Sequence, residues 1–266
     1  MRIITVGGDA RIVYAAECFA SEGHAVSLVC PAIPSHLPDA ETADGAELIL
    51  LPMPLTRDGV TVTAVGKRGM PLGALATFRD VLFAGGGVSP FDASLPYYNY
   101  AADPTLVSEN ARLTALGTLD AWGSLGKDVA VLCVGYGYVG KAMARAAREQ
   151  GYRVYVAARR REVRELAEHD GFLPLAVNEV PPCGMPLFVC NSVPAPIHTA
   201  EFFGRLPKYS RYYELASAPG GICPETDHGE IPIHALPGIP GKYAPREAGR
   251  IIHASVKRYL DARGFL

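Results

Sequence analysis

The chain has 266 residues, 49% of them hydrophobic and 20% charged, so it can bury one large core or two modest ones and is not a disordered or low-complexity sequence. A net charge of −2 argues against a nucleic-acid-binding surface as its main business, while leaving room for local arginine clusters that hold small anions. The expected partner is a small molecule, with no nucleic acid and no membrane.

Met1-Arg2 leads straight into the strand-like Ile3-Ile4-Thr5-Val6 without a leader pattern, and no apolar run reaches a membrane-spanning length, so a cytoplasmic location is expected. The turn Gly7-Gly8-Asp9 follows, then a helix through Ile12, Ala16, Phe19 and Ala20, a stop at Gly23 and a strand over 25–29. After the proline-rich 31–38, strands at 48–51 and 81–83 bracket a polar, glycine-rich middle with a short helix near 72–78. This predicts a small open α/β sheet over residues 1–102, the substrate domain. Asp103-Pro104 is an N-cap followed by proline at the first helical position, and Leu106, Val107, Leu113, Leu116 and Leu119 continue at roughly helical spacing to Gly123. A bridging helix over 103–122 is expected.

From 129 onward strand and helix alternate: 129–134, 141–150, 153–157, 162–169, 187–191, 201–206, 212–215 and 234–236. Alternation of this kind predicts a parallel, doubly wound sheet over a second domain, 103–249 with the bridging helix. A last helix over 245–262 carries Ile251, Ile252, Val256 and Leu260, and the terminal segment 250–266 is expected to pack back on the first domain. The fold class is α/β with two domains, a smaller N-terminal Rossmann-like unit and a C-terminal Rossmann unit, facing each other across a cleft. Six cysteines include no C-x-x-C pair, which predicts reduced thiols and no zinc site.

The most specific stretch is Gly135-Tyr136-Gly137-Tyr138-Val139-Gly140, which follows the apolar run 129–134 and opens the helix at 141. In a dinucleotide fingerprint Gly135 makes the turn, Gly137 lets the backbone approach a pyrophosphate, and Gly140 lets helix and strand pack closely. Tyr138 and Val139 then stand at the helix N-terminus that faces the anion. The next strand should end in an acid for the adenosine ribose, but here 153–157 runs into Ala158-Arg159-Arg160-Arg161. Guanidinium groups favour a 2′-phosphate, so the expected coenzyme is NADP(H), held by Arg159 and Arg160 more than by Arg161. The alternative for this run is a helix start with solvated charges.

Three further stretches are Asn191-Ser192-Val193-Pro194, the run from Leu215 through Ala216 to Gly221, and the run from Leu236 to Gly249. With Gly7-Gly8-Asp9-Ala10-Arg11 they resemble the A subunit of bacterial dipicolinate synthase, in order and nearly end to end, most strongly over 129–249. The resemblance implies a cytoplasmic, NADP-linked oxidation of a dihydropyridine dicarboxylate to pyridine-2,6-dicarboxylate in spore formation, with a flavoprotein-like B subunit as partner. One departure is Ser108-Glu109-Asn110, where the family usually shows Val/Ala-Glu-Gly.

Oxidation of a partly reduced pyridine needs two rings held together, and a dicarboxylate calls for cationic groups. Arg11, one turn into the first helix, and Arg57, past the strand end at 50–55, are the first candidates; the alternatives are a solvated arginine and an ordinary loop charge. Asp9 reads better as a helix cap than as a catalyst. Glu109 on the bridging helix is the candidate to accept a proton or hold a cationic side chain. Asn191 and Ser192 end a strand at the nucleotide-facing edge, where the Asn191 amide is expected to meet ribose or nicotinamide. The Leu215-Ala216 turn offers backbone groups for the carboxamide, with a plain turn as the alternative. Lys242 in its glycine-rich loop and His198, His228, His234 and His253 carry little, since no metal-binding or triad-like setting surrounds them. Two other functions stay open: an adenosylhomocysteine-hydrolase-like NAD enzyme, which the arginines count against, and a regulatory NADPH-binding subunit. A homo-oligomer is compatible with either.

Overall fold

The structure is a computed structural model that describes residues 1–92, 95–123 and 128–265. The chain divides into two units, Met1–Asn110 with Pro240–Leu266, and Ala111–Ile239.

The first unit is a parallel sheet of β1 (Arg2–Val6), β2 (Ala25–Val29), β3 (Leu48–Leu50), β4 (Leu82–Gly85) and β5 (Tyr97–Asn99) in the order β2-β1-β3-β4-β5. β1, β3 and β4 are apolar and buried on both faces, as strands covered by helices on each side must be. The short strand β5 lies at the edge and pairs only with β4; three residues give no periodicity to read in advance. Helix α1 (Ala10–Ser21) packs Ile12, Val13 and Phe19 into one core layer, together with Ile252, Val256 and Leu260 of the terminal helix (Pro245–Ala262). The two helices touch at Gly249, where a Cβ would stand 2.6 Å from the Arg11 carbonyl oxygen. The other face holds Ile4, Ile49, Phe83 and the short helix α2 (Leu72–Leu75).

Helix α3 (Pro104–Trp122) is opened by Asp103, whose Oδ1 accepts from the Thr105 amide at 2.8 Å. Its first turns bury Leu106 in the first core and its later ones bury Ala115 and Trp122 in the second. The division therefore falls inside this helix, whereas the sequence pattern alone places the second domain at 103–249. Residues from Pro240 onward belong to the first unit because Ala248, Gly249 and Ile252 pack with α1.

The second unit is a parallel sheet of β6 (Ala130–Val134), β7 (Arg153–Ala157), β8 (Leu173–Leu175), β9 (Leu187–Asn191), β10 (Arg211–Glu214) and β11 (Ile233–Ala235). Its order, β11-β10-β9-β6-β7-β8, is the doubly wound dinucleotide-binding arrangement with the strand order reversing between β6 and β9. Helices α4 (Tyr138–Glu149), α5 (Arg161–His169) and the one-turn α6 (Ala200–Gly204) connect the strands. β8 is absent from the sequence-based expectation, because Pro174 at its centre argues against a strand; at the sheet edge, pairing with β7 alone, proline is tolerated. The fold class is the expected one, two parallel α/β sheets of Rossmann type. Among the described residues no helix is long and apolar enough to cross a membrane, and no three His, Cys, Asp or Glu side chains gather as metal ligands.

Candidate coenzyme-binding site

Sheets of this order bind ligands outside the carboxyl ends of the strands where the order reverses. At that point, between β6 and β9, lies a cleft of about 510 Å³ walled by the turn 135–139, the end of β7, and Ser192, Val193 and Ile197. The three glycines are distinct in what surrounds them. Gly135 has φ +90°, and a Cβ on it would stand 2.6 Å from Ser192 Oγ and 2.9 Å from Val193 Cγ2. A Cβ on Gly140 would stand 2.0 Å from the Gly135 carbonyl oxygen, so only glycine lets α4 close on the turn. A Cβ on Gly137 would meet nothing within 4 Å. The space there is open to the cleft, which is the fit a diphosphate needs.

Gly137 caps α4 without any side-chain hydrogen bond, and the first amide to return to the helix is Lys141 N, 2.9 Å from the Gly137 oxygen. The amides of Tyr138, Val139 and Gly140 are the first-turn donors that a helix cannot satisfy itself. With the helix dipole behind them they present an anion site. Tyr136 anchors the turn by donating to Asp170 Oδ2 at 2.7 Å.

β7 ends at Ala157-Ala158 with no acid, and exposed Arg159 and Arg160 line the cleft beyond it. Arg164 fixes that strand end, donating to the carbonyl oxygens of Ala158 and Arg159 at 2.9 and 2.8 Å. Arg161 is turned to Glu165 on α5 at 2.7 Å. Among the described residues Arg159 and Arg160 form no ion pair, so both charges are at the disposal of a ligand.

The structure thus brings Gly135, Gly137, Tyr138, Val139, Arg159, Arg160 and Ser192 around one cleft, with Gly140 packed behind. Other candidates stand elsewhere. Asn191 is fully buried; its Nδ2 donates to the Val193 oxygen at 3.0 Å and to Glu214 Oε1 at 2.8 Å, and its Oδ1 accepts from Val193 N at 3.1 Å. Its amide is spent on the protein, which corrects the expectation that it meets ribose or nicotinamide. The amide of Leu215 goes to the Asn191 oxygen at 2.9 Å and that of Ala216 to Glu214 Oε1 at 3.0 Å, so neither amide is free for a carboxamide. Glu214, which closes β10 and organises these groups, escapes the sequence reasoning; an acid directly after the tyrosine pair Tyr212-Tyr213 and before the Leu215–Gly221 turn is the available signal. Behind it His198 is completely buried, its Nδ1 2.9 Å from the Tyr212 hydroxyl and its ring stacked on Phe202. Desolvation lowers its pKa to about 4, so it is a neutral structural ring.

In the first unit Arg11 is not a free cation. Asp9 takes its guanidinium in a two-pronged pair, Nε to Oδ1 at 2.9 Å and Nη2 to Oδ2 at 2.8 Å, while Asp9 Oδ1 also caps α1 through Arg11 N at 3.0 Å. Arg11 Nη2 donates in addition to the Met53 oxygen at 2.8 Å. The turn at Gly7-Gly8 is covered by its own chain: Gly8 N donates to the Thr63 oxygen at 2.7 Å, and a Cβ on Gly7 would stand 2.6 Å from that oxygen. The mononucleotide position of this sheet is therefore closed by protein. Arg57 is exposed beside Asp58 and Lys67 at a shallow hollow of about 330 Å³, Glu109 is half-buried on α3, and Lys242 is exposed.

Residues 125–196 match the sequence family described as acetohydroxy acid isomeroreductase, NADPH-binding domain. No curated protein matches the chain. Solved structures do. The A subunit of dipicolinate synthase from Bacillus halodurans is 22% identical, with a TM-score of 0.78 over 97% of each chain. Its counterpart from Bacillus subtilis is 19% identical, with a TM-score of 0.77 over 98% of this chain and 96% of that one. A transhydrogenase from Sinorhizobium meliloti follows at 16% identity and a TM-score of 0.67, over 98% of this chain and 94% of that one. The chain has the fold of these dipicolinate synthase subunits from end to end. Within its second unit, residues 125–196 are similar to an NADPH-binding domain, and the cleft described above lies in that unit.

Proposed function

We propose that this chain is the A subunit of a dipicolinate synthase, oxidising dihydrodipicolinate to pyridine-2,6-dicarboxylate with NADP⁺ during sporulation in the cytoplasm. The observation that carries the reading is the full-length likeness to the A subunits of two dipicolinate synthases, joined to a cleft whose open Gly137 and free Arg159 and Arg160 suit a 2′-phosphorylated dinucleotide. Bound NADP⁺ would supply the hydride acceptor for a ring carbon, with the accompanying proton released to solvent and the gain of aromaticity favouring the oxidised ring. The protein's work is binding and orientation. Arg159 and Arg160 would hold the 2′-phosphate and the amides of Tyr138 and Val139 the diphosphate, while Ser192 shapes the cleft wall. Arg11, Arg57 and Glu109 are the candidate contacts for the dicarboxylate. A flavoprotein-like B subunit is the proposed partner, and assembly of identical copies is compatible with it.

The closed Asp9–Arg11 pair favours one second reading, a regulatory NADPH-binding subunit that docks a partner without turnover. Purified protein mixed with NADP⁺ and dihydrodipicolinate, with and without the flavoprotein partner, separates the two. NADPH is expected to accumulate; its absence under both conditions, with coenzyme still bound, overturns the enzymatic reading in favour of the regulatory one.

A further inference from the structure

Glu214, at the carboxyl end of β10, gathers three donors from three points of the chain. Oε1 accepts from Asn191 Nδ2 at 2.8 Å and from Ala216 N at 3.0 Å, and Oε2 accepts from Gly221 N at 2.8 Å. The turn 216–221 is wrapped around the carboxylate: a Cβ on Gly220 would stand 3.0 Å from Oε2, and one on Gly221 would stand 2.3 Å from Asn191 Nδ2. All three donors are neutral amides, and among the described residues no cation forms an ion pair with this carboxylate. Nearby His198 is neutral and the Tyr212 phenol is pushed well above its ordinary range, first by burial and then by Glu214 itself. Hydrogen bonds from amides stabilise a carboxylate without cancelling its charge.

The location gives that charge a use. A dinucleotide lies across the reversal point with one nucleotide on each half of the sheet. Arg159 and Arg160 mark the β6–β8 half as the adenosine side, which leaves β9–β11, and with them Glu214, to the nicotinamide side. Glu214 is also tied to the cleft wall, since Asn191 exchanges two hydrogen bonds with Val193, and Val193 packs on the Gly135 turn. The oxidised and reduced coenzymes differ in one respect that electrostatics can read: the oxidised nicotinamide ring is cationic and the reduced one is neutral. The two phosphate-facing arginines act on both forms alike.

We infer that Glu214 is a positioning residue whose uncompensated negative charge biases the crevice toward NADP⁺ over NADPH, setting the bound coenzyme for the oxidising direction. This rests on the reading of the crevice as an NADP site. The test measures Kd for NADP⁺ by calorimetry and for NADPH by fluorescence on the full chain. In Glu214→Gln the preference for NADP⁺ over NADPH should fall roughly tenfold, the scale of one charge acting across a partly screened distance. Glu214→Asp, which keeps the charge, should keep the preference. Ser217→Lys, on the exposed side of the same turn, adds a cation without removing any of the three hydrogen bonds and should lower the preference as Gln does; if Glu214→Gln fails to fold, an unchanged ratio in Ser217→Lys shows that charge at this turn is not felt by the coenzyme and overturns the inference, while retention of the preference in Glu214→Asp supports it. A purely structural Glu214 would weaken both coenzymes equally, and equal losses in Glu214→Gln with no change of ratio in Ser217→Lys overturn the inference while leaving the NADP site in place. If the unaltered chain binds neither coenzyme, the reading of the crevice falls and takes the inference with it.

Discussion

Asp9 and Arg11 form a closed pair in which one carboxylate both caps a helix and neutralises a guanidinium, with the Arg11 side chain 11% exposed and that of Asp9 34%. Removing the acid leaves a nearly buried cation without its partner as well as an uncapped helix. Asp9→Ala is expected to destabilise the first unit by about 2–4 kcal/mol in urea titration. Asp9→Asn keeps an equally good cap and loses only the charge, so its smaller or equal loss apportions the two effects. A loss below about 0.5 kcal/mol in Asp9→Ala would show that the pair does not hold the helix start.

Gly137 and Gly140 stand three residues apart and should answer alanine in opposite ways. At Gly137 a methyl group points into open space, so Gly137→Ala is expected to stay folded, at a cost of about 1 kcal/mol or less, while coenzyme binding weakens at least tenfold. At Gly140 the same methyl would lie 2.0 Å from a backbone oxygen, and the expected loss is about 2 kcal/mol or more in stability. Thermal unfolding together with coenzyme titration checks both. Equal stability of the two variants would contradict this packing.

How far the sequence announces this molecule depends on how local each feature is. The unit β6–α4–β7 is written in consecutive residues, an apolar strand, a glycine turn and an apolar helix face, and strands such as Leu187–Asn191 and the helix Pro245–Ala262 fall where periodicity puts them. β5 and β8 are three-residue edges whose only support is a neighbouring strand far off in sequence. The division inside α3 follows from Leu106 and Ala115 being buried in different cores, a fact of packing that helical spacing does not contain. At the site, the glycine turn and the arginines are consecutive and legible. That Asn191 is consumed by Glu214, 23 residues on, and Arg11 by Asp9, is visible only once the side chains are placed.

Burial of His198 makes stability depend on pH. Its folded pKa of about 4 lies below the ordinary 6.5, so the unfolded chain takes up a proton that the folded one refuses. The stability from this ring is full above pH 6.5 and is lost as pH falls toward 4, by about 3 kcal/mol at most. His24 and His253 are lowered by burial as well and add a slope of the same sign. The measurement is therefore a difference: urea stability of the unaltered chain and of His198→Gln between about pH 7.5 and 4.5. The variant should show the shallower decline, and parallel curves would mean that His198 takes up a proton as readily in the folded chain as in the unfolded one.

The proposed preference for NADP(H) rests on Arg159 and Arg160, because β7 ends in alanine and the two guanidinium groups beyond it have no acidic partner among the described residues. A 2′-phosphate meets both charges, whereas a ribose hydroxyl gains little from either. Each alanine substitution should weaken NADPH binding roughly tenfold, and the pair more than either alone, with NADH affinity changed by less than about threefold. Raising the salt should erode NADPH binding to the unaltered chain and spare that of the double variant, since the lost term is the screened one. Fluorescence titration of the four proteins with both reduced coenzymes reads all of this. Arg161→Ala serves as the internal comparison: its guanidinium is held by Glu165, and its removal should leave both affinities where they were. Tighter binding of NADH than NADPH to the unaltered chain would show that these arginines do not read the phosphate at all.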